Sequence, residues 1–233
     1  MVAPKERPRP EPVSRYGDIV DVAAELFATK GYAATSIQDI ADAVGILKGS
    51  LYHYINTKED LLVSVVDEVH RHTGETIEAV GTVDGDAAVK LAVFVEWHLA
   101  PTDRDVAKAR VFFSEFAQLS PERAEGVQRR RDEYERTLRA IIREGQEQGI
   151  FAAHLDPVLT GMAIFGVLNL VPMWYRPGGP RTMAEITTAF QDIILRSVRA
   201  DAAGATDFGV GRAHISASSD AKTGASEKEM PAS

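Results

Sequence analysis

The chain of 233 residues contains no cysteine. This absence excludes a disulfide framework, a thiolate nucleophile and a zinc site with thiolate ligands. The chain is also short of positive charge, because 26 Lys and Arg residues stand against 34 Asp and Glu residues and give a formal net charge of −8. A generic polyanion-binding protein normally has a basic footprint. Any contact with nucleic acid must therefore use a local patch.

The common signatures of catalysis are also missing. The sequence has no Gly-rich phosphate loop, no nucleophile elbow and no His-Glu-x-x-His zinc motif. His70 and His72 are two residues apart, so they point to different faces of a helix and cannot chelate one metal; the same holds for Glu96 and His98. We expect no catalytic residue, no metal site and no cofactor, and an enzyme is only a distant alternative.

The N-terminal segment does not resemble a signal peptide, and the most apolar stretch does not favour a membrane span. Residues 1–13 contain four prolines and charged residues but no apolar segment of the kind found in signal peptides. The longest apolar stretch, 157–175, is interrupted by Asn169 and Pro172. A buried core helix is a better interpretation of this stretch than a membrane span. We expect a cytoplasmic protein without a membrane partner.

The remaining pattern predicts an all-α fold of about nine helices. Residues 1–13 are expected to form a flexible arm, 14–60 a helix-turn-helix domain, 61–201 a larger ligand-binding and dimerisation domain, and 202–233 a disordered tail. After four helices that end near residue 80, the later helices are predicted at 85–100, 104–119, 122–148, 157–175 and 182–200.

Capping residues set the predicted boundaries of the first four helices. Ser, Thr and Asp side chains accept hydrogen bonds from free backbone N–H groups at helix starts, and glycine adopts the left-handed backbone that ends many helices. The predicted caps are Ser14 for the first helix, Thr35 with Gln38 for the second, Thr57 with Asp60 for the fourth, and Gly31 and Gly45 as the glycines that end the first and second.

Three short helices with Gly45 between the second and third predict a helix-turn-helix unit. We expect Leu47 and Leu51 in its core. The sixteen residues between Asp42 and Glu59 include no carboxylate. In an anionic chain, such a window predicts a local surface that can approach DNA phosphates. The third helix is predicted at about Leu47–Tyr54, and its tyrosines are either phosphate donors or packing residues, of which at least one is expected to pack.

The segment IVDVAAELFATKGYAATSIQDIADAVGILKGSLYHYINTKEDLL, residues 19–62, resembles the DNA-binding segment of the tetracycline-repressor (TetR) family. The resemblance implies a repressor that reads a pseudo-palindromic double-stranded operator as a homodimer. The N-terminal arm, with its Lys and Arg residues and Arg15, either adds DNA contacts or remains a solvated tail. By position, the implied DNA-binding residues are Thr35, Ser36, Lys48, Gly49, Ser50, Tyr52, His53, Tyr54 and Lys58.

The family resemblance also places the dimer contact on the last two predicted helices. The helix at 157–175 is apolar on almost every side, so it needs cover from more than one direction. A second copy of the chain provides that cover in one interpretation, and a fully intrachain core provides it in the other. Gly161 and Gly166 would allow close approach of a neighbouring helix.

A small-molecule effector is expected inside the larger domain, between helices five and eight. Asn169 either orients this ligand or bonds to a neighbouring helix. The run Arg129 to Arg131 is either a solvated face or a site for a phosphate-bearing ligand such as an acyl-CoA. The stretch GILKGSLYHYI resembles family members that sense CoA thioesters of sterol or lipid breakdown. The predicted lining residues are Trp97, Phe112, Phe113, Phe116, Met162, Phe165, Asn169 and Met173.

The expected mechanism is a population shift. The effector favours a state in which the two reading helices are wrongly spaced for the operator, and the long fourth helix from Lys58 to about Val80 is the expected lever. The second alternative to this interpretation is a helical adaptor that does not bind DNA.

Overall fold

The structure, a computed structural model, describes residues 12–200. Within this range the chain forms ten α-helices and one short 3₁₀ turn, and its only β-type pairing is an isolated bridge between Phe151 and Arg199. The predicted all-α fold is confirmed. The helices are α1 (Pro12–Lys30), α2 (Ile37–Val44), α3 (Lys48–Leu51), α4 (Lys58–Thr82), α5 (Ala87–Arg104), α6 (Val106–Ser114), α7 (Pro121–Glu147), α8 (Pro157–Leu168), α9 (Val171–Trp174) and α10 (Met183–Val198).

Helix α1 begins earlier than predicted. It starts at Pro12, so Ser14 lies within the first turn and does not cap the helix from outside. Proline fits the first turn of a helix because no hydrogen bond is required of its nitrogen there. The rest of the predicted arm (1–13) and the predicted tail (202–233) lie outside the described residues.

Helix α2 is capped one residue later than predicted. The Ser36 side chain accepts from the Asp39 backbone N–H, and the Asp39 carboxylate accepts from the Ser36 backbone N–H, which completes a capping box. The predicted pair of Thr35 and Gln38 is wrong. Thr35 is buried, and its hydroxyl donates to the carbonyl of Gly31 at 2.8 Å.

The other predicted ends of the first helices are confirmed. Gly31 and Gly45 follow α1 and α2 with positive φ values of 87° and 75°, which glycine adopts without steric cost. Thr57 and Asp60 form the capping box of α4. The ends of α1 and α2 and the start of α4 therefore depend on glycine backbone geometry and on capping hydrogen bonds between residues close along the chain.

Two apolar clusters hold the described residues together. One surrounds α1 to α3 and includes Leu61 to Val69 of α4 together with residues of α6 and the start of α7. The other joins the end of α4 to α5, α7, α8, α9 and α10. The core of the N-terminal helices therefore continues past residue 60, and α4 belongs to both clusters.

The predicted helix at 157–175 is two helices, α8 and α9, with Asn169 and Leu170 between them. Pro172 accounts for the break, since it lacks the N–H that a continuous helix would bond to the carbonyl four residues earlier. By length and composition alone, Pro157–Trp174 passes the test for a membrane-spanning segment, as an apolar helix of a soluble protein also can.

One face of α7 packs into the larger cluster as the sequence predicts. The predicted residues Tyr134, Leu138, Ile141, Ile142 and Gly145 are all buried. At Gly145 the helix meets the Phe151 ring so closely that a Cβ would overlap it. Glycine at this position therefore allows the chain to fold back after α7.

Candidate DNA-binding surface and effector cavity

Helix α3 and the turn after it are exposed to solvent. Leu47, at the start of this surface, is 79% exposed, so its predicted place in the core is wrong, whereas Leu51 is fully buried as predicted. Tyr52 and Tyr54 are both exposed, which also contradicts the expectation that one of them packs. Among the predicted DNA contacts, the exposed or half-buried residues are Ser36, Lys48, Gly49, Ser50, Tyr52, His53, Tyr54 and Lys58.

The described residues leave the positive charge of Lys48 on this surface without a counter-ion. Lys48 makes no hydrogen bond and no ion pair with any residue in the range 12–200. The carboxylate of Asp39 on α2 is engaged by Lys30 at 2.8 Å and by Ser36, and these hydrogen bonds hold the pKa of Asp39 far below its usual range. The ammonium of Lys48 is thus available to an external anion.

Two of the predicted contacts have internal roles. Thr35 is 1% exposed, so its side chain cannot reach a DNA phosphate and its assignment is corrected to a core residue. Lys58 donates to the carbonyls of Tyr32 and Thr35, both at 2.8 Å, and its ammonium lies 4.2 Å from the centre of the Tyr32 ring. Lys58 therefore fixes the start of α4 against the loop before α2, and one of its three N–H groups remains for an outside acceptor.

A cavity of about 90 Å³ lies between α4, α5, α6, α7 and α8. Its position agrees with the interval predicted for the effector. Of the predicted lining residues, it contains Trp97, Phe112, Phe113, Phe165 and Asn169.

The other three predicted lining residues lie elsewhere. Met162 is 64% exposed and Met173 is 41% exposed on the outer side of α8 and α9. The break after Leu168 interrupts the single helix predicted at 157–175, so Met173 on α9 does not follow the helical phase of α8. Phe116 packs against the N-terminal cluster and beneath the guanidinium of Arg131.

Buried polar groups line the cavity wall, and two of them, His70 and His98, are not among the predicted lining residues. The Nδ1 of His98 is 3.1 Å from the hydroxyl of Tyr134, and burial lowers the pKa of His98 to about 4 against a smaller opposing effect of Asn169. His70 is 4% exposed, and neither of its ring nitrogens has a hydrogen-bond partner among the described residues. The buried Oδ1 of Asn169 is likewise unpartnered there.

Arg131 is the cationic side chain on this wall. Its guanidinium carbon lies 4.6 Å from the centre of the Phe116 ring and 5.5 Å from that of Phe112. Burial lowers the pKa of Arg131, and Glu135 partly opposes this effect. Arg130 and Arg131 lie four and three residues before the buried Tyr134 on α7, so helical spacing places this run near the buried face without singling out Arg131.

Helix α6 links the cavity to both ends of the described chain. Lys108 contacts Asp21 of α1 at 2.5 Å and Glu68 of α4 at 2.6 Å. Two residues later, Arg110 donates to the carbonyls of Pro172 at 2.7 Å and Tyr175 at 3.1 Å. Helix α6 also carries Phe112 and Phe113 of the cavity wall. A displacement of these rings that shifts α6 would therefore alter the contacts of both Lys108 and Arg110.

A broad apolar surface covers the outer side of the last three helices. Large apolar side chains are 40–66% exposed there, more than single scattered residues would give. Gly166 on α8 has open space where a Cβ would project, so another helix can approach it closely. The exposed apolar residues are Val158, Leu159, Met162, Val167, Leu170, Met173, Trp174 and Ile193.

Comparison with known families agrees with this arrangement. The model described as "Bacterial regulatory proteins, tetR family" matches residues 19–65, and the model described as "Tetracyclin repressor-like, C-terminal domain" matches residues 84–198. The chain belongs to the TetR family. It is therefore a helix-turn-helix, DNA-binding transcriptional repressor by family, not an enzyme.

Similar proteins span nearly the same length. The HTH-type transcriptional repressor KstR2 of Rhodococcus jostii is 30% identical over 187 residues, which cover 78% of this chain and 89% of that protein. The fatty acid metabolism regulator protein of Bacillus subtilis is 29% identical over 155 residues, which cover 66% of this chain and 80% of that protein.

Solved structures agree with the fold. The ketosteroid transcriptional regulator KstR2 of Mycobacterium tuberculosis has 26% identity and a TM-score of 0.77, covering 82% of this chain and 98% of that chain. The TetR family regulator PfmR from Thermus thermophilus has 36% identity and a TM-score of 0.70, covering 76% and 97%.

Proposed function

We propose that this TetR-family repressor acts in the cytoplasm as a homodimer, binds a pseudo-palindromic operator through α3, and leaves it when a small molecule enters the cavity. The observation that carries the proposal is the exposed, carboxylate-free surface from Ala43 to Lys58 in a chain of net charge −8. Lysine, hydroxyl and backbone N–H donors on that surface suit phosphate oxygens, and side chains of a reading helix suit the major groove.

The proposed contacts follow from exposure. Lys48 and the hydroxyl of Ser50 supply phosphate donors, and Gly49 lets the backbone approach the duplex. Tyr52 and His53, which lie just after α3, are proposed to contact the edge of the major groove. Thr35 is left out because it is buried, and the remaining predicted contacts Ser36, Tyr54 and Lys58 are kept for the rim of the interface.

The apolar surface on α8 to α10 is the proposed dimer contact. An operator with two half-sites needs two reading helices held at a fixed separation, and a two-fold dimer provides this. Leu159, 66% exposed, and the adjoining Met162 would be desolvated by the same surface of a second copy. This arrangement gives α8 cover on the side that its own chain leaves open.

We test the dimer with Leu159→Asp, which places a charge in the proposed contact. The expected result is a monomer in analytical ultracentrifugation at micromolar concentration and a loss of operator binding. Val89→Asp, which alters a 41%-exposed apolar residue on α5, serves as the control and should stay dimeric. Dimers of unchanged affinity for Leu159→Asp would contradict the assigned surface.

The cavity supports control by an effector. Sites for small ligands commonly measure about 300–1,000 Å³, and the present 90 Å³ therefore has to widen for a ligand of that size. Widening displaces Phe112 and Phe113, and α6 transmits that movement through Lys108 to α1 and through Arg110 to α9. The helices proposed to couple the cavity to the DNA-binding helices thus include α6 as well as the long α4. A coupling of about 1–3 kcal/mol would change DNA affinity by about 5–150-fold.

The proposed effector is a lipid or sterol metabolite, with an acyl-CoA as one form of it. The aromatic cavity wall suits an apolar body. Two similar proteins are named for ketosteroids and for fatty acid metabolism, which supports the same class of metabolite.

Operator binding is tested by selecting duplexes from a random-sequence pool and titrating the selected site in gel shifts at several salt concentrations. A repressor gives a retarded band whose log affinity falls linearly with log salt, with a slope of about −0.9 per phosphate neutralised. A helical adaptor that does not bind DNA would give no enriched sequence and no retarded band, and that result would overturn the proposal.

A further inference from the structure

Three consecutive arginines on α7 have different surroundings. Arg129 donates to Glu125 at 2.7 Å on the exposed surface, and Arg130 donates to Asp67 of α4 at 2.5 Å. Arg131 has neither a hydrogen bond nor an ion pair with any residue between 12 and 200, and it lies on the cavity wall. The three side chains therefore separate into two that are neutralised locally and one that offers its N–H groups to the cavity.

Aromatic rings hold Arg131 in place without using its donors. The guanidinium carbon lies over the rings of Phe116 and Phe112, at 4.6 and 5.5 Å from the ring centres. Such contacts leave the edge of the guanidinium, with its five N–H groups, free to bind oxygen atoms. Glu135 also lines the cavity and partly offsets the cost of burying this charge, but it forms no ion pair with Arg131, so an anionic group of a ligand would bind the guanidinium directly.

His70 provides a second, independent indication of a ligand. It is 4% exposed on the same wall, and both ring nitrogens lack partners within the described chain. Burial, and after it the charges of Arg130 and Arg131, lowers its pKa to about 4, so the ring is neutral at pH 7 and carries one donor and one acceptor. Buried polar groups of a folded protein normally have partners, and here a ligand oxygen would supply one.

We propose that Arg131 is the anion-binding residue of the cavity and that the effector is an apolar acid. Its anionic oxygens accept hydrogen bonds from the guanidinium edge, its apolar body lies among the aromatic rings, and a polar atom meets His70. The anion is either the carboxylate of a free acid or a phosphate of a CoA thioester, because both present paired oxygens to the fork of an arginine. This inference rests on the proposed effector control of the repressor.

The test measures ligand binding directly, with the full chain and without DNA, by calorimetry and thermal shift. The probes are hexanoate, octanoate, decanoate and 3-phenylpropionate, each beside its primary amide, together with octanoyl-CoA. We expect at least one acid or the thioester to bind and its matched amide to bind at least about tenfold more weakly, since the amide lacks the charge. Binding by free acids identifies the carboxylate as the anion, and binding by octanoyl-CoA alone identifies a phosphate.

Variants decide whether Arg131 is responsible. Arg131→Met should weaken the bound probe by about tenfold or more, Arg131→Lys should restore part of the affinity, and the matched change Arg129→Met should leave it unaltered. Thermal melting and circular dichroism verify that each variant is folded; if Arg131→Met does not fold, Arg131→Lys against Arg129→Met gives the comparison. Equal binding of acid and amide, equal binding by Arg131→Met and the parent chain, or no binding of any probe would each overturn the inference.

The readout separates this inference from the proposed function. A chain that binds the acid but selects no DNA contradicts the repressor proposal and leaves the role of Arg131 intact. A chain that binds its operator but none of the probes contradicts the role of Arg131 and leaves the repressor proposal intact. Release of the selected operator by the same acid, lost in Arg131→Met, would support both.

Discussion

Around α3 the polar side chains are exposed and ready for water or DNA, whereas around the cavity they are buried and partly without partners. Lys48 and Tyr52 represent the first region, and His70 and Asn169 represent the second. Polar groups on a solvated surface cost little free energy on folding, because water forms their hydrogen bonds until DNA replaces it. A buried polar group without a partner destabilises the fold, so its retention indicates a use other than packing. The contrast teaches that substitutions around α3 should change DNA affinity with little effect on stability, whereas substitutions of the buried polar groups around the cavity should change the stability of the fold, ligand binding or both.

The largest expected effect on stability is at Gly145, where α7 packs against the ring of Phe151. Gly145→Ala places a Cβ on the Phe151 ring, and such overpacking should lower the free energy of unfolding by about 3 kcal/mol. Gly126→Ala in the same helix is the control, because its Cβ would meet only the far end of the Arg129 side chain. That control should be neutral or stabilising by up to about 1 kcal/mol. Urea denaturation at one protein concentration measures both, and equal effects would contradict the packing described.

An intermediate effect is expected at His70. His70→Phe removes two unsatisfied buried nitrogens, so stability at pH 7 should rise by about 1–2 kcal/mol. The parent chain should lose stability as the pH falls from 6.5 towards 4, because the unfolded chain binds protons in that range that the buried His70 and His98, with pKa values lowered to about 4, do not.

Thermal melting between pH 4 and 8 checks both parts of the His70 prediction. The loss on acidification should be smaller in His70→Phe than in the parent chain, since one of the two depressed histidines is gone. An unchanged pH profile together with lower stability at pH 7 would mean that His70 has a partner in solution.

The smallest effect is expected at Lys48, on the DNA-binding surface. Lys48→Ala should weaken operator binding by about 1 kcal/mol, about fivefold, and reduce the salt slope by about 1, since one phosphate contact is lost. The melting temperature should not change, because Lys48 is exposed and forms no hydrogen bond or ion pair with the residues between 12 and 200. Arg143→Ala, the same loss of charge on an exposed part of α7, is the control. An equal loss of affinity in both variants would indicate a general effect of charge.

Local rules in the sequence predicted the helices and the surface around α3. Gly31, Gly45 and the Thr57–Asp60 box give the correct ends because caps depend on a few neighbouring residues. The same rules failed where two caps competed, at Thr35 and Ser36, since Thr35 is buried and its hydroxyl donates to the Gly31 carbonyl at the end of α1.

The cavity was predicted less well. Five of the eight residues predicted to line the effector site border the cavity, whereas Met162 and Met173 are exposed on the outer side of α8 and α9. Their orientation depends on how α8 packs on α7 and on the break before α9. Arg131 was noticed only as part of a charged run, since spacing alone does not say which of three arginines turns inward.

The sequence by itself determined the helical class, the turn between α2 and α3, and the carboxylate-free window, because each depends on residues close along the chain. Tertiary structure alone decided which polar groups are buried, where α6 is fastened, and which arginine faces the cavity. Those properties arise from contacts between residues far apart in sequence, such as Lys108 with Asp21, and no local pattern encodes the packing that brings them together.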